Sequence, residues 1–287
     1  MKRFEYRAPR NLVEACSLLS EQKEEAKLIA GGQSLIPQLK LRVIAPKVVI
    51  DIKQLDELEY IREEHESLRI GALTTHRTIE TSPVIRKRFP VLVEMERRLS
   101  DVQVRNWGTL GGNLCHADPA GDPAPALIVL GAKVRALSIR GEREIPLAEF
   151  FVDYLTTVLE PDEILTEIEV PYFASHSGGA YRKETVRAAD FPIVSVAAMI
   201  TLDRERISEA RIVLGGVGKT PVEALNAEQI LVGKKAETGV IKKAAEVAAG
   251  EISPIADVHG SEAYKRKIAG ILTEEIVTLA AKRAKEG

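Results

Sequence analysis

The chain has 287 residues, a formal net charge of −2 and 45% hydrophobic residues. That is enough apolar material for a sizeable core divided over about two domains. The interspersed charges argue against a nucleic-acid or membrane surface, and no apolar run reaches the roughly 20 residues of a spanning helix.

In chain order, residues 1–52 read as a strand, a helix and two strands. Asn11 is placed to cap a helix carrying Leu12, Val13, Ala15, Cys16, Leu18 and Leu19. Lys27 to Ala30 is a short strand, and Lys47 to Asp51 is a β-branched run of the kind found in buried strands. Strand, helix and strand in alternation imply at least one parallel pairing. Residues 53–175 form a second block. It has a strand at Ser67–Ala72, a helix-start signal at Thr74-Thr75, a break at Pro83 and helical patterning from Val91 to Leu99. An apolar helix follows at 124–130, with Pro123 and Pro125 in its first turn and Gly131 at its stop. Lys133–Ile139 and the alternating Pro161–Pro171 segment are strands, with a hairpin turn at Arg140-Gly141-Glu142. A polar, glycine-rich stretch at Ala174–Gly179 suggests a boundary, so residues 1–175 and 176–287 are expected to be separate domains. Beyond it, strands at 194–202 and 210–217 precede helices at 221–231, 240–249 and 261–285. This order points to an α+β layer. The last helix should dock through Ile268, Ile271, Leu272, Ile276, Leu279 and Ala280.

Two glycine pairs carry the functional argument. One is Ala30-Gly31-Gly32-Gln33-Ser34, at the end of a strand; the other is Thr109-Leu110-Gly111-Gly112-Asn113. Paired glycines remove side-chain bulk, open positive φ and let backbone N–H groups approach an anion. Either loop alone could be a tight turn. Two of them, each at an element edge with small polar neighbours, suggest a two-pronged cradle for a diphosphate.

Other candidates fail on their own terms. Gly215–Thr220 lacks a glycine at Val213 that a phosphate loop requires, and Pro221 removes a donor. Neither glycine pair fits the Rossmann spacing. Cys16 and Cys115 are too few for an iron–sulfur cluster, and no Cys/His set has zinc spacing. Cys16 reads as core, while Cys115, beside the second glycine pair, reads either as packing or as a cofactor neighbour. The histidines are scattered; His116 with Asp118 is a local pair that could orient the loop. Met1–Arg10 lacks the apolar core of a signal peptide, so a cytoplasmic protein is expected.

Taken together, these motifs resemble the FAD-binding medium subunits of molybdenum hydroxylases, a family that includes carbon monoxide dehydrogenase and xanthine dehydrogenase. The likeness runs from Ala30–Ser34 through Val104–Asn113, His116–Pro119, Asp122, Asp162–Leu165 and Tyr181–Lys183 to Gly216-Val217-Gly218. It implies an α+β protein. A bipartite FAD-binding domain of the vanillyl-alcohol-oxidase (PCMH) type would occupy residues 1–175, with subdomains of about 1–52 and 53–175, and a C-terminal α+β domain would follow. By resemblance, Ala30, Gly31, Gly32, Gln33 and Ser34 would hold the diphosphate together with Thr109, Gly111, Gly112 and Asn113, through backbone amides. Asp122 would accept from a cofactor hydroxyl, Leu165 would sit by the flavin or adenine, and Lys183 would bring positive charge to the flavin. No catalytic residue and no metal site of its own are implied. The implied partners are a molybdenum-cofactor large subunit and a [2Fe-2S] small subunit in a dimer of heterotrimers. A self-contained flavoprotein of the same fold, or a scaffold that has lost its flavin, would share these motifs. Trp107 stands where relatives often carry a basic or polar residue; packing, shielding of the loop and contact with a partner are all open readings.

Overall fold

The computed structural model describes residues 1–287. The first unit is a three-stranded parallel sheet in which Val48–Asp51 lies between Glu5–Arg7 and Ala26–Ile29. Parallel neighbours need crossovers, and two helices supply them. Asn11 caps the first, Leu12–Gln22, by accepting a hydrogen bond from the Glu14 N–H, and this helix buries Ala15, Cys16 and Leu19. The second, Leu35–Leu41, begins directly after the first glycine pair. Its signal in the sequence is masked by Pro37, which lies in the first turn, where a missing N–H breaks no intrahelical bond.

The second unit is a five-stranded antiparallel sheet in the order Ile61–Glu63, Ser67–Gly71, Ile164–Pro171, Lys133–Ser138, Gly141–Pro146. Leu68, Ile70, Val134, Ala136, Ile168 and Val170 point to one side and are buried under a layer of short helices. Thr75 caps His76–Thr81. Ser82 caps Pro83–Arg88, so Pro83 starts a new helix. Pro90–Glu96, Val102–Trp107, Leu110–His116 and Pro123–Val129 complete the layer. A register shift between Leu165 and Glu167 interrupts the expected alternation. Leu165 rather than Ile164 therefore shares the core of the second unit with Ile168 and Val170, and Ile164 joins the core of the first. The seam between the two units runs past this bulge.

The third unit is an antiparallel sheet of Ser177–Glu184, Val194–Asp203, Arg206–Gly215 and Val222–Glu223. Its first strand occupies much of the glycine-rich stretch read as a boundary. A Cβ on Gly178 would lie 2.3 Å from the Ala280 carbonyl, so the C-terminal helix Glu262–Glu286 rests directly on that strand. Val222–Glu223 pairs with Leu214 and Val213, which delays the expected helix to Leu225–Leu231. Alternate residues of the central strand face opposite ways. Val194, Val196, Ala198 and Ile200 pack on the C-terminal helices, whereas Ala197 and Met199 belong to the core of the second unit. Ile271 departs from expectation: it is half exposed, because Leu272, Thr273, Ile276 and Val277 form the buried stripe. No helix is long and apolar enough to cross a membrane.

Candidate functional site

The two glycine pairs, about 80 residues apart in sequence, meet on one cleft of about 670 Å³. This size is ordinary for a small-molecule site. A Cβ on Gly31 would stand 2.0 Å from the Trp107 carbonyl oxygen and 2.8 Å from the Gly108 Cα. Only glycine lets the two segments touch there. Gly32 has φ +73°, a left-handed turn that sends the chain into the Leu35–Leu41 helix. The N–H groups of Gly31, Gly32, Gln33 and Ser34 donate to no other protein atom. They are a row of donors on the cleft wall, the arrangement that binds anions.

The second pair is built differently. It is the first turn of the helix Leu110–His116, capped by Thr109, and neither glycine has a positive φ. A Cβ on Gly111 would fall 2.6 Å from the Ala72 Cβ, so that glycine serves close packing against the strand end. The amides here are occupied. Leu110 donates to Thr74 O, Gly111 to Ala72 O, Gly112 to Thr109 Oγ1 and Asn113 to Thr109 O. The expectation that both loops offer free amides therefore divides: the first does, and the second offers chiefly side chains and a bare surface at Gly112. The two face each other, since a Cβ on Gly112 would be 3.9 Å from the Ala30 Cβ.

Of the residues singled out from the sequence, Ala30, Gly31, Gly32, Gln33, Ser34, Thr109, Gly111, Gly112, Asn113, Asp122 and Leu165 all line this cleft. Lys183 does not. It stands behind Asp122, donating from Nζ to Asp122 Oδ2 at 2.8 Å and to the Asp190 carbonyl at 2.9 Å. Tyr181 donates to the other carboxylate oxygen of Asp122 at 2.5 Å. The strand Ser177–Glu184 puts Tyr181 and Lys183 on the same face by its two-residue period. Burial lifts the Asp122 carboxyl above its ordinary range, with Lys183 and Tyr181 pulling the other way. Burial, with Asp122 adding to it, also holds the Tyr181 hydroxyl well above its usual value, so it remains a donor. Asp122 is thus clamped by two donors, and one edge of it borders the cleft.

Leu165 is positioned by its neighbours. Arg143 reaches Glu163 with Nε and a second guanidinium nitrogen, both at 2.7 Å, and Arg140 reaches Asp162 at 2.8 Å. These bonds tie the Asp162–Leu165 turn to the hairpin beside it. His116 and Asp118 are 4.0 Å apart, too far for a hydrogen bond, although both line the cleft, as does Cys115. Trp107 is half exposed, with Lys53 Nζ 3.4 Å above its ring.

The sequence reading missed a buried pair. His76 lines the cleft and its Nδ1 meets Glu96 Oε1 at 3.1 Å. Both are almost wholly buried. Nearby, Arg105 donates to the Leu99 and Ser100 carbonyls and to Glu80. Only the chemistry of a charged residue within the apolar Pro90–Glu96 run could have signalled the pair, because its members lie 20 residues apart and on different helices.

Bare glycine surface, a row of free N–H donors opposite it and a clamped carboxylate fit a dinucleotide: donors for the diphosphate and an acceptor for a hydroxyl. Comparisons with known proteins agree. The family model for the FAD binding domain in molybdopterin dehydrogenase matches residues 2–173, and that for the CO dehydrogenase flavoprotein C-terminal domain matches residues 179–280. Subunit alpha of the 6-hydroxypseudooxynicotine dehydrogenase complex of Paenarthrobacter nicotinovorans is 36% identical over 98% of this chain and 96% of its own. The glyceraldehyde dehydrogenase medium chain of Sulfolobus acidocaldarius is 36% identical over 94% of this chain and 95% of its own. A solved structure of carbon monoxide dehydrogenase from Hydrogenophaga pseudoflava superposes with a TM-score of 0.96 at 36% identity, covering 98% of both chains. With a family model covering more than half of its length and near-full-length relatives above 30% identity, the chain belongs to the FAD-binding medium subunits of the molybdenum hydroxylases, as an oxidoreductase subunit whose cofactor is FAD.

Proposed function

We propose that this subunit is the flavin station of a larger enzyme. It would receive electrons singly from the [2Fe-2S] clusters of a small subunit and pass them in pairs to an external acceptor. Substrate would be oxidised on a molybdenum-bearing large subunit. The reading places the chain in a cytoplasmic dimer of heterotrimers. FAD supplies the chemistry, as a carrier that exchanges either one or two electrons; the protein supplies binding, orientation and electrostatics.

The observation that carries this reading is the closure of two distant glycine pairs on one cleft, with four free amides on one side of it. Gly31 to Ser34 would donate to the diphosphate, with Thr109, Gly111, Gly112 and Asn113 as the facing wall. Asp122, fixed by Tyr181 and Lys183, would accept from a cofactor hydroxyl. Leu165 would pack on the ring system. The relatives act on a nicotine derivative, glyceraldehyde or carbon monoxide at nearly the same identity to this chain. Substrate choice accordingly belongs to a partner, which is consistent with a site that holds no nucleophile–base pair.

The test is purification from the native source, with an absorption spectrum and a metal count. A flavin spectrum accompanied by molybdenum and iron in two larger and smaller partner chains is the expected result. A chain that purifies alone and neither binds added FAD nor gains melting temperature from it would refute the proposal.

A further inference from the structure

A dinucleotide diphosphate carries two negative charges, and the cleft's donors are unevenly distributed. The first glycine loop presents free amides, whereas those of Leu110 to Asn113 are engaged within the protein. Cations that approach from outside the lining are engaged too: Lys183 with Asp122 and the Asp190 carbonyl, Arg105 with Glu80 and the carbonyls of Leu99 and Ser100. Among the residues that line the cleft, the only basic ones are Lys27, His76 and His116. Lys27 is exposed on the strand before the loop. His116 stands at the far end of the Leu110–His116 helix, beside Asp118. His76 remains, and it sits where the loops meet.

Its placement is fixed from two sides. The His76 backbone N–H donates to the Gly108 carbonyl at 3.0 Å, tying the start of its helix to the second loop. A Cβ on Gly108 would stand 3.1 Å from the His76 Cδ2 and 3.6 Å from the Gln33 Cγ, so the ring edge lies at the junction of the two loops. Nδ1 is held by Glu96, and Nε2 has no partner in the protein. Glu96 and Asp122 are the charged groups that act on the ring, and Arg105 acts in turn on Glu96. Glu96 has no solvent exposure, and burial raises the affinity of its carboxyl for a proton, with His76 pulling the other way.

We propose that His76 is a binding residue for the diphosphate of the dinucleotide, donating from Nε2, and that Glu96 is the buried positioning residue that holds Nδ1 and so orients the ring. This rests on the reading that places the diphosphate between the glycine loops. It assigns to a side chain the donor that the second loop's engaged amides do not provide.

The experiment measures the affinity of the flavin-free full chain for FAD, for ADP and for riboflavin, which lacks the diphosphate. His76→Gln and Glu96→Gln should each weaken FAD and ADP by the same factor, about tenfold for a charge-assisted hydrogen bond. Riboflavin binding should be unchanged. In the unmodified chain, ADP should shift the ¹⁵N resonance of the His76 Nε2 and riboflavin should not, a readout that does not depend on a variant folding. Variants that bind FAD and ADP as the parent does, a loss for FAD without a loss for ADP, or an Nε2 resonance indifferent to ADP would each overturn the assignment while leaving the flavin reading intact. An unmodified chain that binds neither FAD nor ADP would overturn both.

Discussion

The two glycine pairs look alike in sequence and work by opposite means. At Gly31-Gly32 the chain leaves a parallel strand, turns left-handed and exposes its amides. At Gly111-Gly112 it is already helical, its amides are bonded inward and the absent side chains serve packing and clearance. The lesson is that a Gly-Gly motif reports absence of bulk, not free donors. Which of the two a site obtains depends on the element that follows. The first helix starts after its glycines, so they remain outside the ladder; the second starts before its glycines, so they are drawn into it.

The largest expected effect comes from breaking the contact between the pairs. In Gly31→Val the new Cβ would occupy the place of the Trp107 carbonyl, 2.0 Å away, and backbone rather than a side-chain tip would have to move. A cost of about 3 kcal/mol or more is expected, seen as a lower melting temperature with flavin content near zero. A variant with the parent's melting temperature and flavin content would show that the loops do not need to touch.

Next in size is the packing role of the second pair. Gly111→Ala inserts a Cβ 2.6 Å from the Ala72 Cβ and 2.8 Å from its carbonyl oxygen. In an open helix the change would be stabilising by up to about 1 kcal/mol. Here a net loss of about 2 kcal/mol is expected from overpacking, measured by denaturant unfolding of the flavin-free chain. Gly112→Ala sharpens the contrast. That residue is exposed, and its Cβ would press on the Thr109 hydroxyl at 2.7 Å, with the Ala30 Cβ 3.9 Å away, so folding should lose no more than the cap's share of about 1 kcal/mol while FAD affinity falls more than about tenfold. Equal behaviour of the two variants would erase the distinction between packing and clearance.

The third wall of the cleft belongs to neither loop, and its electrostatics give a pH signature. The hydrogen bonds of Arg143 hold the Glu163 carboxyl below its ordinary value of 4.5, against an opposing push from burial. A depressed carboxylate stabilises the fold above the unfolded pKa, and that contribution is lost as pH falls through the folded value. Glu163→Gln should therefore cost about 2 kcal/mol at neutral pH. The gap from the parent should shrink as the pH drops below 4.5, a comparison readable from melting temperatures across that window. A gap that is constant with pH would mean the carboxylate contributes shape alone.

Much of this was legible in the chain. Period-two and period-3.6 patterning located the buried strands, the caps at Asn11 and Thr75, and the C-terminal helices, because local propensity and packing agree there. The family motifs brought forward the cleft residues, and all but Lys183 line one cavity. What stayed hidden depends on tertiary placement. The Leu35–Leu41 and Val102–Trp107 helices are too short for a periodic signal. Lys183 resembles a cofactor contact in sequence, and its bond to Asp122, which sets it behind the cleft wall, depends on strand placement. The His76–Glu96 pair is fixed by helix packing across 20 residues, which no spacing rule encodes.

The smallest effect tests the comparison most directly. Thr109→Ala removes the hydroxyl that caps the second helix, and caps of this kind are worth about 1 kcal/mol. The same change releases the Gly112 N–H, now 3.2 Å from that hydroxyl, into the cleft. If amides of the second loop were the binding donors, freeing one would hold or raise the affinity for FAD. If that wall acts through its side chains and its fixed shape, affinity should fall severalfold together with the melting temperature, and Thr109→Ser, which restores the cap, should recover both. A Thr109→Ala chain that is less stable but binds FAD more tightly would show that the two loops differ only in which of their donors the folded protein has already taken.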